Sequence, residues 1–483
     1  MTLDALTCHR ALSARDRRFD GLFFVGVRTT GVYCRPVCPA RTPRADRCVF
    51  FERAALAERE GFRACLRCRP ELAPGNAPVD SSPRLAGAAL SRIEAGFLNE
   101  ASVDELAAGL GVTARHLRRA VAATLGVTPV ELAQSRRLAL AKQLLQDTGL
   151  PLAEVALAAG FRSVRRFNAL FRGRFGRPPS ALRREAGTAA AGALALRLDY
   201  RPPLDWEALL DFLSARATAG VEEVRDGAYR RTARLGGRSG WVSVTADRGR
   251  PSLRAEVSVS LAGALMPLVA RLRAVFDLDA RPDAIARHLG HDPLLGRSLR
   301  RHPGLRLPGA FDGFESAVRA VLGQQVTVRA ATTVAGRAAE HLGEPVETPF
   351  PGLGRLFPTP AALSAAGEGG LAALGMPGAR ARALVALSAA VEAGELALGR
   401  DADAAAVREK LCALPGIGPW TADVVAMRAL GQPDAFPAAD LGIARVLAAG
   451  SAGRALERAE RWRPWRAYAA MHLWSLLAEG EHG

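Results

Sequence analysis

The stretch Leu411–Asp440, LCALPGIGPWTADVVAMRALGQPDAFPAAD, decides how the rest of the chain is read. Leu414-Pro-Gly-Ile-Gly-Pro-Trp-Thr-Ala422 is a tight glycine turn, and the apolar periodicity from Thr421 to about Leu430 predicts a helix after it. The segment therefore reads as helix, hairpin, helix. Gly416 and Gly418 let backbone N–H groups approach an anion closely, and the next helix aims the positive end of its dipole the same way. For a basic chain the natural anion is a DNA phosphate. Beyond the breaks at Gly431, Pro433 and Pro437, Asp440 opens another apolar segment. A carboxylate beside the sugar suits cleavage of an N-glycosidic bond, whose transition state builds positive charge on deoxyribose. The same residues also suit a structural turn followed by an N-cap aspartate, and context decides between the two.

That context begins with composition. The 483 residues leave room for about three or four domains, and 49% apolar content is ample for several cores. Sixty-five Lys+Arg against 48 Asp+Glu give a net charge of +17, which favours a polyanionic partner. Lys142 and Lys410 are the only lysines, an arginine bias that genomic base composition explains as readily as phosphate binding does. No apolar run reaches membrane-spanning length and the N-terminus has no signal-peptide core, so the chain is expected in the cytoplasm, associated with the nucleoid. Six of the seven cysteines precede residue 70, and clustered thiols in a reducing compartment point to metal or redox chemistry.

Cys34-Arg-Pro-Val-Cys38 and Cys65-Leu-Arg-Cys68 supply two thiol pairs, enough for a closed tetrahedral Zn²⁺ site in a domain too small for a large core. Cys8 and Cys48 lack partners at ligand spacing and read as ordinary thiols. Asp20-Gly-Leu-Phe-Phe-Val-Gly-Val-Arg-Thr-Thr-Gly-Val-Tyr-Cys34-Arg-Pro-Val-Cys38-Pro-Ala-Arg, with Gly61-Phe-Arg-Ala-Cys65-Leu-Arg-Cys68-Arg-Pro, resembles the N-terminal domain of the Ada methylation-response family. The resemblance implies that Cys34 is the methyl acceptor and that Cys38, Cys65 and Cys68 are the other zinc ligands. Four thiolates on one Zn²⁺ carry a formal charge of two minus, so the sulfurs stay nucleophilic without a base. An alkylated phosphotriester has lost its own charge and does not repel them. Methylation would lower the site's charge to one minus, weakening repulsion from neighbouring phosphates and raising DNA affinity. A zinc site of purely structural purpose is the alternative.

From Ser102-Val-Asp-Glu105, a capping box, the chain runs through Leu106, Leu110, a Gly111 turn and a Thr113 cap into the Arg-rich Arg115-His-Leu-Arg-Arg119. The pattern recurs after Pro151, with Val155, Gly160-Phe161, a Ser163 cap and Val164-Arg-Arg-Phe-Asn-Ala-Leu-Phe-Arg172. Two helix-turn-helix units of this kind can set recognition helices in major grooves about 34 Å apart. The second copy, through Phe167, Phe171 and Phe175-Gly-Arg-Pro-Pro, resembles the AraC/XylS DNA-binding domain. Arg115, Arg118, Arg119, Arg165, Arg166, Asn168 and Arg172 are the DNA-facing candidates, against the plainer reading of a helical bundle with a solvated basic face.

Arg197-Leu-Asp-Tyr-Arg-Pro-Pro-Leu-Asp-Trp206 through Arg216, Phe311-Asp-Gly-Phe-Glu315, Leu322-Gly-Gln-Gln-Val326, the hairpin with Asp440, and Arg461-Trp-Arg-Pro-Trp to Trp474 together resemble the AlkA family of 3-methyladenine DNA glycosylases. The resemblance spans nearly all of residues 194–480. It implies that Asp440 stabilises the oxocarbenium-like sugar and orients or deprotonates water. It also makes Trp420 and Trp474 pocket aromatics for a flipped, cationic alkylpurine, and Gln324 and Gln325 substrate-contacting residues. Core packing is the alternative for both tryptophans. Where bifunctional relatives carry a Schiff-base lysine this chain has Trp420, which implies hydrolysis without strand cleavage. Gln325 replaces the family's intercalating leucine and Val424 a pocket aromatic, which bears on substrate range and efficiency. Neither a C-terminal cysteine cluster nor a Pro-Cys-His-Arg alkyltransferase sequence is present.

The expected architecture is multidomain and mainly α: a small zinc α+β domain at 1–72, an all-α double helix-turn-helix at 84–184, an α+β subdomain with an antiparallel sheet at 194–305, and an all-α helix-hairpin-helix domain at 306–483. Pro/Gly/Ser-rich residues 73–83 and Ala/Gly-rich residues 186–193 read as joints. The expected function is a methyl-phosphotriester sensor and transcription activator fused to a monofunctional glycosylase, monomeric, acting on double-stranded DNA at alkylated sites and promoters, with RNA polymerase as a partner. A regulator whose glycosylase half only binds DNA, and a glycosylase whose zinc domain is merely structural, are the competing readings.

Overall fold

The computed structural model describes residues 4–75, 84–183 and 192–480; the linker at 76–83 and the joint at 184–191 lie outside the described residues. The first region comprises α1 (Ala5–Ser13), β1 (Phe24–Val27), β2 (Val32–Cys34), β3 (Cys48–Phe51), α2 (Ala54–Arg59) and β4 (Arg63–Ala64). Its strands form one sheet in the order β3-β1-β2-β4, antiparallel except for the short β2–β4 pair. Cys8, Leu12, Phe23 and Val25 fill its core, so Cys8 is a buried thiol. Cys48 is half-buried and donates to the Arg44 carbonyl.

Next come α3 (Arg84–Glu94), α4 (Val103–Ala108), α5 (Ala114–Leu125), α6 (Pro129–Asp147), α7 (Leu152–Ala158) and α8 (Val164–Phe175). The caps are those expected: Ser102 and Glu105 form the reciprocal box, Thr113 starts α5 and Ser163 starts α8. A second box, Thr128 with Glu131 at the head of α6, was not anticipated. Helix α6 separates the two helix-turn-helix units, α4–α5 and α7–α8. Phe161, Phe167, Phe171 and Phe175 stack in series with centroids 5.1, 5.4 and 4.4 Å apart, which turns the aromatic spacing of the second copy into its core. Gly160 is obligatory there: its φ is +84°, and a Cβ would lie 2.3 Å from Asn99.

The remainder is β5 (Ala193–Asp199), α9 (Trp206–Ser214), β6 (Glu222–Arg225), β7 (Ala228–Leu235), β8 (Arg238–Ala246), β9 (Ser252–Ser258), α10 (Leu265–Val275), α11 (Pro282–Leu289), α12 (Pro293–Arg301), α13 (Gly313–Leu322), α14 (Val328–Leu342), α15 (Pro360–Ala373), α16 (Gly378–Glu392), α17 (Ala404–Ala413), α18 (Pro419–Arg428), α19 (Leu441–Val446), α20 (Ala452–Ala459) and α21 (Arg466–Gly480). The chain divides into one unit of Met1–Pro202, Asp247–Ala270 and Leu278–Ala280, and a second of Pro203–Ala246, Arg271–Asp277 and Arg281–Gly483. The first unit thus takes in the metal region, the helical region and the antiparallel pair β5–β9, in which Leu196 faces Ala255.

The second unit contains the antiparallel meander β6-β7-β8 and the helices that carry Asp440. Strands β6 and β7 lack a clean apolar alternation for a physical reason. Arg231, in the middle of β7, is 3% exposed and pairs with Glu222 at 3.2 Å and Glu315 at 2.7 Å, so a charge sits where strand alternation requires an apolar residue. The helical core around Val318, Val321, Leu384, Leu387, Leu411, Val425 and Ile417 holds the hairpin between α17 and α18.

Candidate functional site

Asp440 caps α19. Its Oδ1 accepts the backbone N–H of Ile443 at 3.0 Å and the indole N–H of Trp474, from α21, at 3.1 Å. Its Oδ2 accepts the indole N–H of Trp420, from the first turn of α18, at 3.0 Å. Three N–H donors from three helices fix the plane of a half-buried carboxylate. Asp440 is an N-cap, and its two oxygens also accept from the tryptophans: one oxygen serves the helix and both serve the indoles. Trp420 and Trp474 are themselves half-buried, and their contact with the carboxylate edge-on leaves their polar atoms satisfied.

The hairpin lies beside this group. Gly416 has φ +75°, and Gly418 caps α18 with Pro419 in its first turn. Both glycines are exposed, while Ile417 between them is 4% exposed and anchors the turn in the core. Gln324, after α13, donates through Nε2 to the Gly416 carbonyl and to Thr421 Oγ1, both at 2.9 Å, and its own carbonyl accepts from Arg380. Those bonds pin one end of the loop whose next residue, Gln325, is exposed and held at φ +53°. Sequence reasoning missed Thr421 and Arg380; Arg380 carries no local signal, since only folding brings α16 to Gln324. Val424 is half-buried against the helical core.

Arg216, stacked 3.8 Å over the Phe212 ring, is pushed down to about 10 by burial and by neighbouring Arg319, with Asp440 opposing. Arg428 lies 5.0 Å over the same ring and is lowered to about 9, again chiefly by burial and then by Arg319 and Arg216.

In the first unit, the Sγ atoms of Cys34, Cys38, Cys65 and Cys68 all lie within 4.8 Å of one another. Tetrahedral coordination at a Zn–S distance of about 2.3 Å needs sulfurs ~3.8 Å apart, so the four thiols fit one Zn²⁺. These four thiols are the residues that would hold a single structural zinc ion. Cys34 is half-buried while its three companions are buried. Backbone N–H groups of Arg35 and Arg67 donate to Cys68 Sγ at 3.3 Å and Cys65 Sγ at 3.4 Å. Lys142, fully buried on α6, donates to the Cys65 carbonyl at 3.1 Å and pairs with Glu71 at 2.7 Å.

Arg115, Arg118 and Arg119 on α5, and Arg165, Arg166 and Arg172 on α8, are all exposed; Asn168 is half-buried. Leu117, Val121, Phe167 and Phe171 face the other way into the cores. The basic faces are thus the free faces of the second helix of each unit, as groove reading requires. Among the described residues no helix is long and apolar enough to cross a membrane.

Four segments of the chain match known protein families. Residues 7–71 match the metal binding domain of Ada, 106–185 a helix-turn-helix domain, 195–312 the AlkA N-terminal domain, and 318–461 the HhH-GPD superfamily of base excision DNA repair proteins. A Mycobacterium tuberculosis protein described as a probable bifunctional transcriptional activator/DNA repair enzyme AlkA is 44% identical over 480 residues, covering 97% of this chain and 96% of its own. DNA-3-methyladenine glycosylase 2 of Escherichia coli is 38% identical over 277 residues, covering 57% of this chain and 95% of its own. The 3-methyladenine DNA glycosylase structure from Archaeoglobus fulgidus superposes with a TM-score of 0.52 at 25% identity, covering 58% of this chain and 98% of that one.

Proposed function

The chain belongs to the family of bifunctional transcriptional activator/DNA repair enzymes, which join Ada-type and AlkA-type domains, and from that premise we propose how its two halves divide the chemistry. Asp440 is the catalytic residue of a DNA-3-methyladenine glycosylase, acting on 3-methyladenine- and 7-methylguanine-type lesions. The observation that carries this reading is the carboxylate held by Trp420, Trp474 and the Ile443 N–H beside the Gly416–Gly418 hairpin. Gly416 and Gly418 hold the backbone of the target strand, Gln325 fills the vacated stack, and Trp420 and Trp474 border the flipped base. As the glycosidic bond breaks, the base leaves with the bonding electrons, Asp440 stabilises the cationic sugar, and water adds to it. Lys142 and Lys410 are the only lysines, and both are committed, to Glu71 and to the Glu395 carbonyl, which supports simple hydrolysis without strand cleavage.

Cys34 is the methyl acceptor. Its greater exposure supports that role over the other three sulfurs. Zinc, when bound, keeps the sulfurs as thiolates at neutral pH. The Cys34 thiolate attacks the methyl carbon of a phosphotriester; the S–C bond forms, the C–O bond breaks, and a phosphodiester anion leaves. The exposed faces of α5 and α8, with Arg115, Arg118, Arg119, Arg165, Arg166, Asn168 and Arg172, bind promoter DNA, and RNA polymerase is the partner there. Domain limits of 1–72, 84–184, 194–305 and 306–483, a monomer, and a cytoplasmic, nucleoid-associated site of action complete the reading.

The test is release of free bases from methylated duplex DNA by the wild type and by Asp440→Asn. Loss of 3-methyladenine release in the variant alone is the expected result. Absence of release by both proteins overturns the glycosylase assignment and leaves a DNA-binding regulator, with Gln325 and Val424 as the cause to pursue.

A further inference from the structure

Arg35 sits between two zinc ligands, Cys34 and Cys38, and is 5% exposed. Its guanidinium donates to the Cys68 carbonyl at 3.2 Å, to both oxygens of Asp20, with Nε to Oδ1 at 2.8 Å, and to Asp199 Oδ2 at 2.8 Å. Asp20 and Asp199 are buried too, so these ion pairs lie out of water. Asp199 is the last residue of β5, in the segment that matches the AlkA N-terminal domain. Arg197 Nε holds its other oxygen at 2.9 Å. The Cys65–Cys68 pair is tied to α6 through Lys142 and Glu71; the Cys34–Cys38 pair is tied to the first strand of the glycosylase half through Arg35.

Charge bookkeeping gives the bridge a chemical consequence. A lone buried guanidinium against the sulfur centre would offset the negative charge that makes the thiolates nucleophilic, and burial leaves that effect poorly screened. With Asp20, Asp199 and the Arg197 that pairs with Asp199 all counted, the Arg35 cluster is neutral and the sulfurs keep their field; without the Asp199 charge it would be a net cation. We propose that Asp199 is a positioning residue for methyl acceptance at Cys34: through Arg35 it fixes the Cys34–Cys38 loop and neutralises the cation beside the thiolates. This rests on Cys34 being the acceptor. It makes the glycosylase strand part of the sensor, so the sensor is incomplete without the sequence fused to it.

The test uses full-length, zinc-loaded protein and duplex DNA carrying one methyl phosphotriester, with single-turnover methylation of Cys34 followed by mass spectrometry. Asp199→Asn keeps an acceptor for Arg35 but removes the charge. It is expected to retain one zinc, to lower the transfer rate at saturating DNA about tenfold, and to leave the half-saturating DNA concentration within about twofold of wild type. Asp199→Glu, which restores the charge, is expected to recover most of the rate. A zinc-loaded Asp199→Asn protein that transfers at the wild-type rate, or an Asp199→Glu protein no faster than it, overturns the proposal. Should Asp199→Asn fail to fold, Asp199→Ser, a smaller neutral acceptor that also removes the charge, carries the test: slowing of similar size with zinc retained is expected, and a wild-type rate overturns the proposal. Wild-type protein with no methyl on Cys34 overturns instead the acceptor reading beneath it.

Discussion

The four sulfurs of the metal centre come from residues 34 to 68 and lie within 4.8 Å of one another, whereas the groups around Asp440 come from α18, α19 and α21, with Gln324 and the hairpin beside them. The sulfur centre is built from nearby chain and then wrapped in buried ion pairs, Arg35 with Asp20 and Asp199, and Lys142 with Glu71. The carboxylate is built from distant chain, left half-buried, and held by neutral N–H donors. The difference suits the roles proposed for the two centres. A thiolate that reacts once needs its charge preserved until the event, which a dry, charge-balanced surround provides. A carboxylate that serves every turnover must admit a base, a sugar and water, so its orientation is set by directional hydrogen bonds at the wall of an open site.

The sharpest way to break the comparison is to cross the two chemistries. Cys34→Ser should abolish methyl acceptance while base release stays within about twofold, and Asp440→Asn should cost base release roughly a thousandfold or more while methyl acceptance persists. Paired mass spectrometry and base-release assays on both variants check this; loss of both activities in either one would show that the sites are a single machine. A smaller effect tests the directional bonds. Trp474→Phe keeps the ring and removes one N–H donor to Asp440, so kcat for base release should fall on the order of tenfold with little change in thermal midpoint.

The hairpin glycines separate folding from binding. At Gly416, φ is +75° and a Cβ would meet Ala383 at 3.2 Å, so Gly416→Ala should cost about 1–2 kcal/mol of stability. A Cβ at Gly418 meets nothing within 4 Å, so Gly418→Ala should unfold normally in denaturant yet bind duplex DNA more weakly. Equal losses of stability in both would remove the argument that Gly418 is there for a phosphate.

The smallest effect concerns pH. His472 on α21, bonded to Ser298 at 2.9 Å, is held down to about 4 by burial and then by His302, against an ordinary value of 6.5. The unfolded chain therefore takes up a proton at this position near pH 6.5 while the folded one does not until about pH 4. Stability must fall as pH drops through that window, by about 1 kcal/mol at pH 5.5. His472→Gln should flatten this slope in denaturant titrations of the Asp440-bearing unit and leave zinc retention unchanged.

Much of this was legible in one dimension. The cysteine pairs, the Ser102, Thr113 and Ser163 caps, the Gly416–Gly418 hairpin and Asp440 all declare themselves because each depends on residues close in sequence, where spacing is geometry. Strands β6 and β7 did not, because Arg231 is buried through partners on other elements. Nor did the second purpose of Trp420 and Trp474, whose N–H groups find Asp440 only when α18, α19 and α21 pack together. Residues close along the chain are enough to show which groups are present: four thiols that fit a zinc ion, a glycine hairpin with an aspartate behind it, and two arginine-rich helices. Tertiary structure alone decided which groups govern them, since Asp199 reaches the sulfur centre through Arg35 and Trp474 reaches Asp440 only after folding. Long-range contacts between charged or polar groups have no periodicity to betray them; their energy comes from exclusion of water, which exists only once the chain has closed around them.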